Sequence, residues 1–472
     1  MSELGKNFIK KFVGFSLVTW VSFALSFLTA PVSTRLFIPE VLGKINIFDT
    51  YTNLLGLLAL VGLDQAFARF YLERPNNRSV DYLFTFCFGT TYALLFVLII
   101  LSLPFSSILS WELFEEKDNL LLYLFFLSVF CSSTLRYLNL SYRMEQNIKM
   151  YTIQGILMTL VSKVLYICVG FWDPSYKPAL IVLTVSHVLL AIVFLWIQRH
   201  RFERIHEFDR AFSSEMFQFA LPLIPVSVLM WANTSIPQIV MQKTMDYNSI
   251  GVFTSAAALA NVILIIQAGF NTFWIPYVYE NYKTQTGQFF KVHRYLLCIL
   301  TLCAILLVVS QDIVFLLLGE KYRVAKQFFP FLILGPVCYI IGETTGIGIS
   351  ISKKTYYNIW VFGGSVIVNI LLCLLLRIPF GISGIAMAVA LAGITAMCLK
   401  TLIGQKYYHA VDSYRYIYAT LFFIIVSAFI TYCVLDFYWK VGLLLFILLH
   451  SLFFYRKEIL ELKEYALSFI RP

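Results

Sequence analysis

Apolar runs of about twenty residues recur along the whole chain, and this repetition limits the fold more than any other feature. A helix needs roughly 20 mostly apolar residues to cross about 30 Å of hydrocarbon. Fourteen segments meet that need: 12–36, 44–71, 82–104, 120–142, 151–171, 178–198, 215–241, 248–280, 294–318, 327–351, 357–377, 381–401, 415–435 and 439–455. Their length and the absence of period-two alternation predict helices, not barrel strands. Composition agrees. Of 472 residues, 60% are hydrophobic and 13% charged, against about 25% charged in a soluble domain. A soluble enzyme of this length could not hide so much apolar surface, and a disordered or disulfide-knotted chain is excluded as well.

The formal net charge is +10. The basic residues are scattered between the apolar runs without forming a block, so nucleic acid is not an expected partner. They suit loops facing anionic lipid. With a cytoplasmic N-terminus, twenty-three of the 36 Lys and Arg fall in inner segments and ten in outer ones, while Arg69, Arg136 and Lys163 stay inside spans. The excess predicts a multi-pass protein of the cytoplasmic membrane with both termini inside. The basic loop 319–326 is the one dissenter, and the outer loop 105–119 is acidic. The initial lysines and apolar run lack a cleavage pattern and read as the first span. The nine cysteines show neither CxxC nor zinc spacing, so no metal and no cofactor is expected. Residues 451–472 alternate apolar and charged groups, as in a helix lying at the inner surface.

An internal repeat organises the spans. The stretch from Gly43 to Glu73 and that from Gly251 to Glu280 share Gly at the start, Asn ten residues on (Asn53, Asn261), a mid-helix Gly (Gly62, Gly269) and a closing Glu. The offset pairs the second span with the eighth, so the repeat unit is six spans in the same orientation. The expected architecture is all-α and polytopic, with two pseudo-symmetric six-helix lobes (1–200 and 215–405), a cytoplasmic linker (201–214), and two extra spans with a tail (406–472). Two such lobes around a midplane site suit alternating access.

The same stretches carry a family resemblance. Thr34-Arg35-Leu36-Phe37-Ile38-Pro39-Glu40-Val41-Leu42-Gly43 and Gly62-Leu63-Asp64-Gln65-Ala66-Phe67-Ala68-Arg69-Phe70-Tyr71-Leu72-Glu73 resemble the ends of the first and second spans of Wzx-type polysaccharide flippases. Phe219-Ala220-Leu221-Pro222-Leu223-Ile224-Pro225 resembles the start of their seventh span. Gly251-Val252-Phe253-Thr254-Ser255-Ala256-Ala257 and Trp274-Ile275-Pro276-Tyr277 resemble their eighth. That family belongs to the multidrug/oligosaccharidyl-lipid/polysaccharide exporter superfamily. The resemblance implies translocation of undecaprenyl-pyrophosphate-linked sugars from the cytoplasmic to the outer leaflet.

Such a cargo needs cations for its pyrophosphate and amides or aromatic faces for its glycan. Candidate substrate contacts are Arg35 beside Pro31, Arg136, the mid-span Lys163, and Gln267, Asn271 and Trp274 on the eighth span. Asp64 and Glu343 are candidate coupling or gating carboxylates, and Asn53 with Asn261 forms a repeat-matched polar pair. Arg69, five residues from Asp64, makes a poor helical partner for it and is expected as an interfacial anchor. His187 is expected as a hydrogen-bonded structural residue. Expected partners are the lipid-linked oligosaccharide, membrane lipids, and the glycosyltransferases and polymerase that act before and after transport. Two rival readings are a cation-coupled drug or small-molecule antiporter of the same fold and a membrane glycan polymerase. The polymerase needs a reactive outer loop, yet 105–119 holds neither His nor Arg, so an enzyme is not expected. Without a phosphate-binding GxxxxGK[ST] loop, direct ATP coupling within this chain is not expected either.

Overall fold

A computed structural model describes residues 3–73, 78–203, 209–284, 286–434 and 436–470. Every regular element among them is helical. The chain divides into two compact units, Met1–Ser235 and Ile236–Pro472. The first contains α1 (Glu3–Leu36), α2 (Pro39–Leu60), α3 (Leu63–Phe70), α4 (Val80–Ser102), α5 (Ser106–Phe114) and α6 (Asn119–Met144). It continues with α7 (Ile148–Val169), α8 (Tyr176–Ile197), α9 (Arg210–Ala220) and the first part of α10 (Ile224–Thr244). The second contains α11 (Tyr247–Ala260), α12 (Leu264–Asn281), α13 (Thr286–Val309), α14 (Gln311–Leu317), α15 (Phe329–Thr345) and α16 (Ile347–Ile351). After these come α17 (Tyr357–Tyr407), α18 (Arg415–Cys433), α19 (Phe437–Phe454) and α20 (Arg456–Ile470).

Short polar residues start the helices. The side chains of Ser79, Asp118, Asn147, Asp209, Asp246 and Asp436 each accept a hydrogen bond from a backbone N–H in the first turn of the helix that follows. This satisfies donors that no helix can satisfy internally. In α7 the winding loosens to a π-turn at Val161–Leu165.

Among the described residues eleven helices are long and apolar enough to cross a membrane, or up to thirteen if two bent pairs are each one span. The bent pairs are α2 with α3 (52°) and the 3₁₀ segment Glu320–Gln327 with α15 (64°). The first bend sits at Val61 and Gly62, both at positive φ. A Cβ on Gly62 would lie 2.6 Å from the Ala220 carbonyl oxygen, so a side chain there is excluded twice over.

The count and the expected fourteen diverge at α17. This run is a helical hairpin, not one rod. Gly381 breaks it at φ 57°, ψ −132°. The Tyr357 and Tyr407 hydroxyls lie 2.9 Å apart, and Ser365 donates to the Ala392 carbonyl at 2.8 Å. The expected spans 357–377 and 381–401 fall on its two arms.

The aromatic core of the first unit gathers Phe67, Tyr82, Phe86, Tyr137 and Phe212. α9 packs into it through Phe212, Met216 and Ala220, although 215–241 was expected to open the second lobe. The boundary between units falls later, within α10. Part of the expected linker, 204–208, lies outside the described residues. In the second unit α15 is almost wholly buried. It packs on α17 where a Cβ on Gly404 would lie 2.5 Å from the Gly346 Cα. Many large apolar side chains, among them Phe96, Leu101, Ile192, Leu375 and Phe446, point outward, which suits a lipid solvent.

Candidate functional site

Three of the expected cation sites fall at successive levels along α7. α1 runs parallel to α7 and packs closely on it. Ser22 and Thr159 hydroxyls are 2.7 Å apart, and a Cβ on Gly155 would lie 2.6 Å from Val18 Cγ1. At the far end, a Cβ on Gly170 would meet Leu36 Cβ at 3.0 Å. α6 runs antiparallel to α7, with Gln154 donating to the Leu135 carbonyl at 3.0 Å and Asn139 to that of Tyr151 at 3.2 Å. Arg136, Lys163 and Arg35 therefore stand at the levels of residues 154, 163 and 170. At 1.5 Å per residue they are about 14 and 10 Å apart. All three side chains are exposed.

The three cations differ in their acidic surroundings. Arg136 donates through Nε and Nη2, at 3.0 and 2.5 Å, to one oxygen of Asp64. Gln65 donates to the same oxygen at 3.0 Å. The Asp64 side chain is 6% exposed and that of Arg136 55%, so a buried carboxylate anchors one edge of an open guanidinium. Asp64 thus has its charge matched, and Arg69 turns to Glu73 at 2.9 Å. Lys163 sits on the π-turn within electrostatic reach of Asp49. Arg35 is in the last turn of α1, without an ion pair among the described residues. Asn53 is exposed and donates to the Asp49 carbonyl at 2.8 Å. His187 uses both ring nitrogens, with Ser162 Oγ at 3.1 Å and the Leu183 carbonyl at 2.9 Å.

The second unit holds a separate polar cluster. Glu343 accepts from Lys400 Nζ at 2.7 Å, with both side chains 18% exposed. Lys400 also lies 5.8 Å from the Tyr339 ring centroid, and Tyr339 neighbours Gln267. The Lys400 stem fills the space left by Gly342 and Gly346. Asn271 Oδ1 and Trp274 Nε1 are both buried without a hydrogen-bond partner. Trp274 is 1% exposed, stacked on Phe270 and edge-on to Phe289, a packing position that leaves no ring face for a sugar. Asn261 is exposed at a short 3₁₀ break between α11 and α12, and it and Asn53 belong to different units. Among the described residues no group of His, Cys, Asp and Glu is placed to hold a metal.

The profile of one family, described as polysaccharide biosynthesis protein, matches residues 32–327. The chain belongs to that family. No curated protein matches it. Among solved structures it is similar to the lipid II flippase MurJ in an inward closed conformation, at 16% identity and TM-score 0.72 over 94% of this chain and 99% of that one. It is also similar to an inward-facing multidrug resistance MATE transporter of the MOP superfamily, at 15% identity and TM-score 0.56 over 81% and 94% of the two chains. These likenesses establish the fold of a member of this family as a multi-pass helical membrane protein.

Sequence reasoning missed Asp49, Tyr339 and Lys400. Lys400 closes a span at the end of an apolar run, and the α17 hairpin carries it to Glu343, 57 residues away. Asp49 had a legible signal: it is a lone carboxylate at the centre of an apolar helix.

Proposed function

We propose that this protein is a flippase that moves undecaprenyl-pyrophosphate-linked oligosaccharide from the cytoplasmic to the outer leaflet by alternating access. The observation that carries the reading is the file of Arg136, Lys163 and Arg35 along α7. A pyrophosphate crossing hydrocarbon needs a counter-charge at each depth, and steps of about 10–14 Å provide one near each level of a 30 Å layer. The glycan would meet exposed amides such as Asn53, while the polyprenyl tail stays in lipid. Glycosyltransferases that build the cargo and a polymerase that consumes it are the expected partners. The charge count supports cytoplasmic termini.

The antiporter reading shares the fold and is less well supported. Asp64 and Glu343 each hold a basic partner at 2.5–2.7 Å, so neither can exchange a coupling cation without first breaking its own pair. The decisive experiment is flipping of an undecaprenyl-pyrophosphate oligosaccharide in proteoliposomes. The wild type is expected to flip it, and Lys163→Ala and Arg35→Ala to insert normally but lose transport. Full transport by both variants would overturn the site; no transport by the wild type would overturn the function.

A further inference from the structure

The open end of the α17 hairpin gathers positive charge without a carboxylate to match it. Between Glu343 and Asp412 the chain has no Asp or Glu. Both bounding carboxylates are already taken, Glu343 by Lys400 at 2.7 Å and Asp412 by Arg294. That leaves Lys353 and Lys354, in the turn from α16 into α17, and Lys406, in the last turn of α17. Among the described residues none of these three makes an ion pair. Close backbone packing holds the turn against the helix end. A Cβ on Gly348 would lie 2.1 Å from the Gly404 carbonyl oxygen and 2.9 Å from the Tyr408 nitrogen. Lys354 Nζ sits 4.4 Å from the Tyr407 ring centroid, and the Tyr407 and Tyr357 hydroxyls are 2.9 Å apart. A ring face positions an ammonium but does not cancel its charge.

Lys353 holds its place against backbone preference. It follows the α16 C-cap at φ 58°. Its N–H donates to the Ser350 carbonyl and that of Lys354 to the Ile349 carbonyl, both at 3.1 Å. This helix ending favours glycine, because a Cβ is disfavoured at positive φ. A lysine kept there points to a use for its charge. The surroundings give the depth. Tyr356 is 54% and Trp360 71% exposed, as in an aromatic belt at headgroup level. One turn further into each arm, on the same helix face, Trp360 follows Tyr356 and the 69% exposed Leu402 precedes Lys406. Cations at the rim with apolar side chains a turn deeper match an amphiphile. We propose that this end of the hairpin binds the phosphate of an anionic phospholipid. Lys353, Lys354 and Lys406 surround the headgroup, and the acyl chains lie against Trp360 and Leu402. The charge count puts these segments inside, which makes it a lipid of the cytoplasmic leaflet. A free phosphate would use the lysines alone and leave the apolar half of the surface without a role. The bound lipid joins the start of the first arm to the end of the second and secures the hairpin. The site does not depend on which cargo the protein moves.

The test follows thermal unfolding of the full chain in nanodiscs of neutral phosphatidylcholine as phosphatidylglycerol is raised. The wild type is expected to melt higher as the anionic fraction grows. Lys354→Gln and Lys406→Gln are each expected to need about fivefold more phosphatidylglycerol for half of that rise, and either suffices if the other fails to insert. Lys457→Gln, at an exposed lysine of α20, is expected to respond as the wild type does. An equal loss in Lys457→Gln would mean attraction to bulk surface charge and overturn the site. Lys353→Gly separates charge from backbone. In pure phosphatidylcholine it is expected to melt about 2 °C above wild type, yet to respond about fivefold more weakly to phosphatidylglycerol. A lower melting temperature in the neutral bilayer would make Lys353 a structural residue and overturn its part. Inorganic phosphate is expected to leave the melting temperature unchanged; a shift equal to that with phosphatidylglycerol would overturn the lipid assignment. So would a shift with undecaprenyl pyrophosphate and none with phosphatidylglycerol, which would give the surface to the cargo.

Discussion

At the scale of single residues, the Arg136–Asp64 pair shows how a carboxylate can hold a cation ready without neutralising its exposed edge. Asp64 is buried and Arg136 is not, so losing either partner has unequal consequences. Arg136→Ala leaves a buried anion unmatched and is expected to lower stability by roughly 1–3 kcal/mol. Asp64→Asn keeps one acceptor oxygen for Arg136 and is expected to be the milder change. Thermal unfolding in detergent of the two variants side by side checks the order; equal losses would refute it. The individual charged positions were legible in the chain because each interrupts an apolar run. Their pairing was not, since Arg136 lies 72 residues from Asp64 and only the packing of α6 beside α3 joins them. Trp274 was misread for a related reason: an aromatic in an apolar helix looks the same whether it faces a sugar or Phe289.

Among the elements, glycine decides which helices touch. At Gly404 a Cβ would lie 2.5 Å from a backbone Cα, whereas at Gly89, in α4, it would meet nothing within 4 Å. Gly404→Ala is therefore expected to cost about 1–3 kcal/mol through overpacking. Gly89→Ala is expected to gain up to about 1 kcal/mol from helix propensity. Melting temperatures of opposite sign relative to wild type test this. Charges tie other elements at their ends. Lys177 holds Asp118 at 2.6 Å and Glu116 at 3.4 Å, Lys44 holds Glu116 at 3.1 Å, and Tyr176 donates to Glu116. Burial pushes the Glu116 carboxyl up, but its three donors outweigh burial and hold it below its ordinary 4.5. The Lys177 hydrogen bond, against a smaller effect of burial, holds Asp118 below 3.8. Both carboxyls bind protons more weakly folded than unfolded, so their contribution is present above about pH 5 and is lost as pH falls through the lowered values. Glu116→Gln is expected to flatten the fall in melting temperature between pH 5 and pH 3; an unchanged slope would count against the network. The helices themselves were legible from run length, but the α17 hairpin was legible only as two separate spans.

For the molecule as a whole, the ion pairs of each unit sort by membrane face. In the first unit, Lys44, Glu116, Asp118 and Lys177 gather at one end, while Arg78 with Asp209 and Arg201 with Asp81 and Glu145 gather on segments the charge count puts inside. In the second, Asp312 joins Lys326 and Lys440, each at 2.9 Å, which gives the discordant basic loop at 319–326 an acidic partner on its own side. Arg294 with Asp412 and Tyr416 with Glu458 gather on the predicted inner segments. Among the described residues no ion pair within a unit joins segments predicted on opposite faces, so the predicted sidedness is self-consistent within each unit. Cysteines placed at Lys117 and Arg199 in a cysteine-light background are expected to react with an impermeant maleimide from outside and from inside respectively; reversal of both would invert the orientation. The hairpin bears on such mapping. A Cβ at Gly384 would fall 2.0 Å from the Leu376 carbonyl oxygen, so the polypeptide doubles back with no slack between Pro379 and Ser383. A reporter enzyme spliced there would have no tether to hang from, and its silence would register a broken fold instead of a compartment.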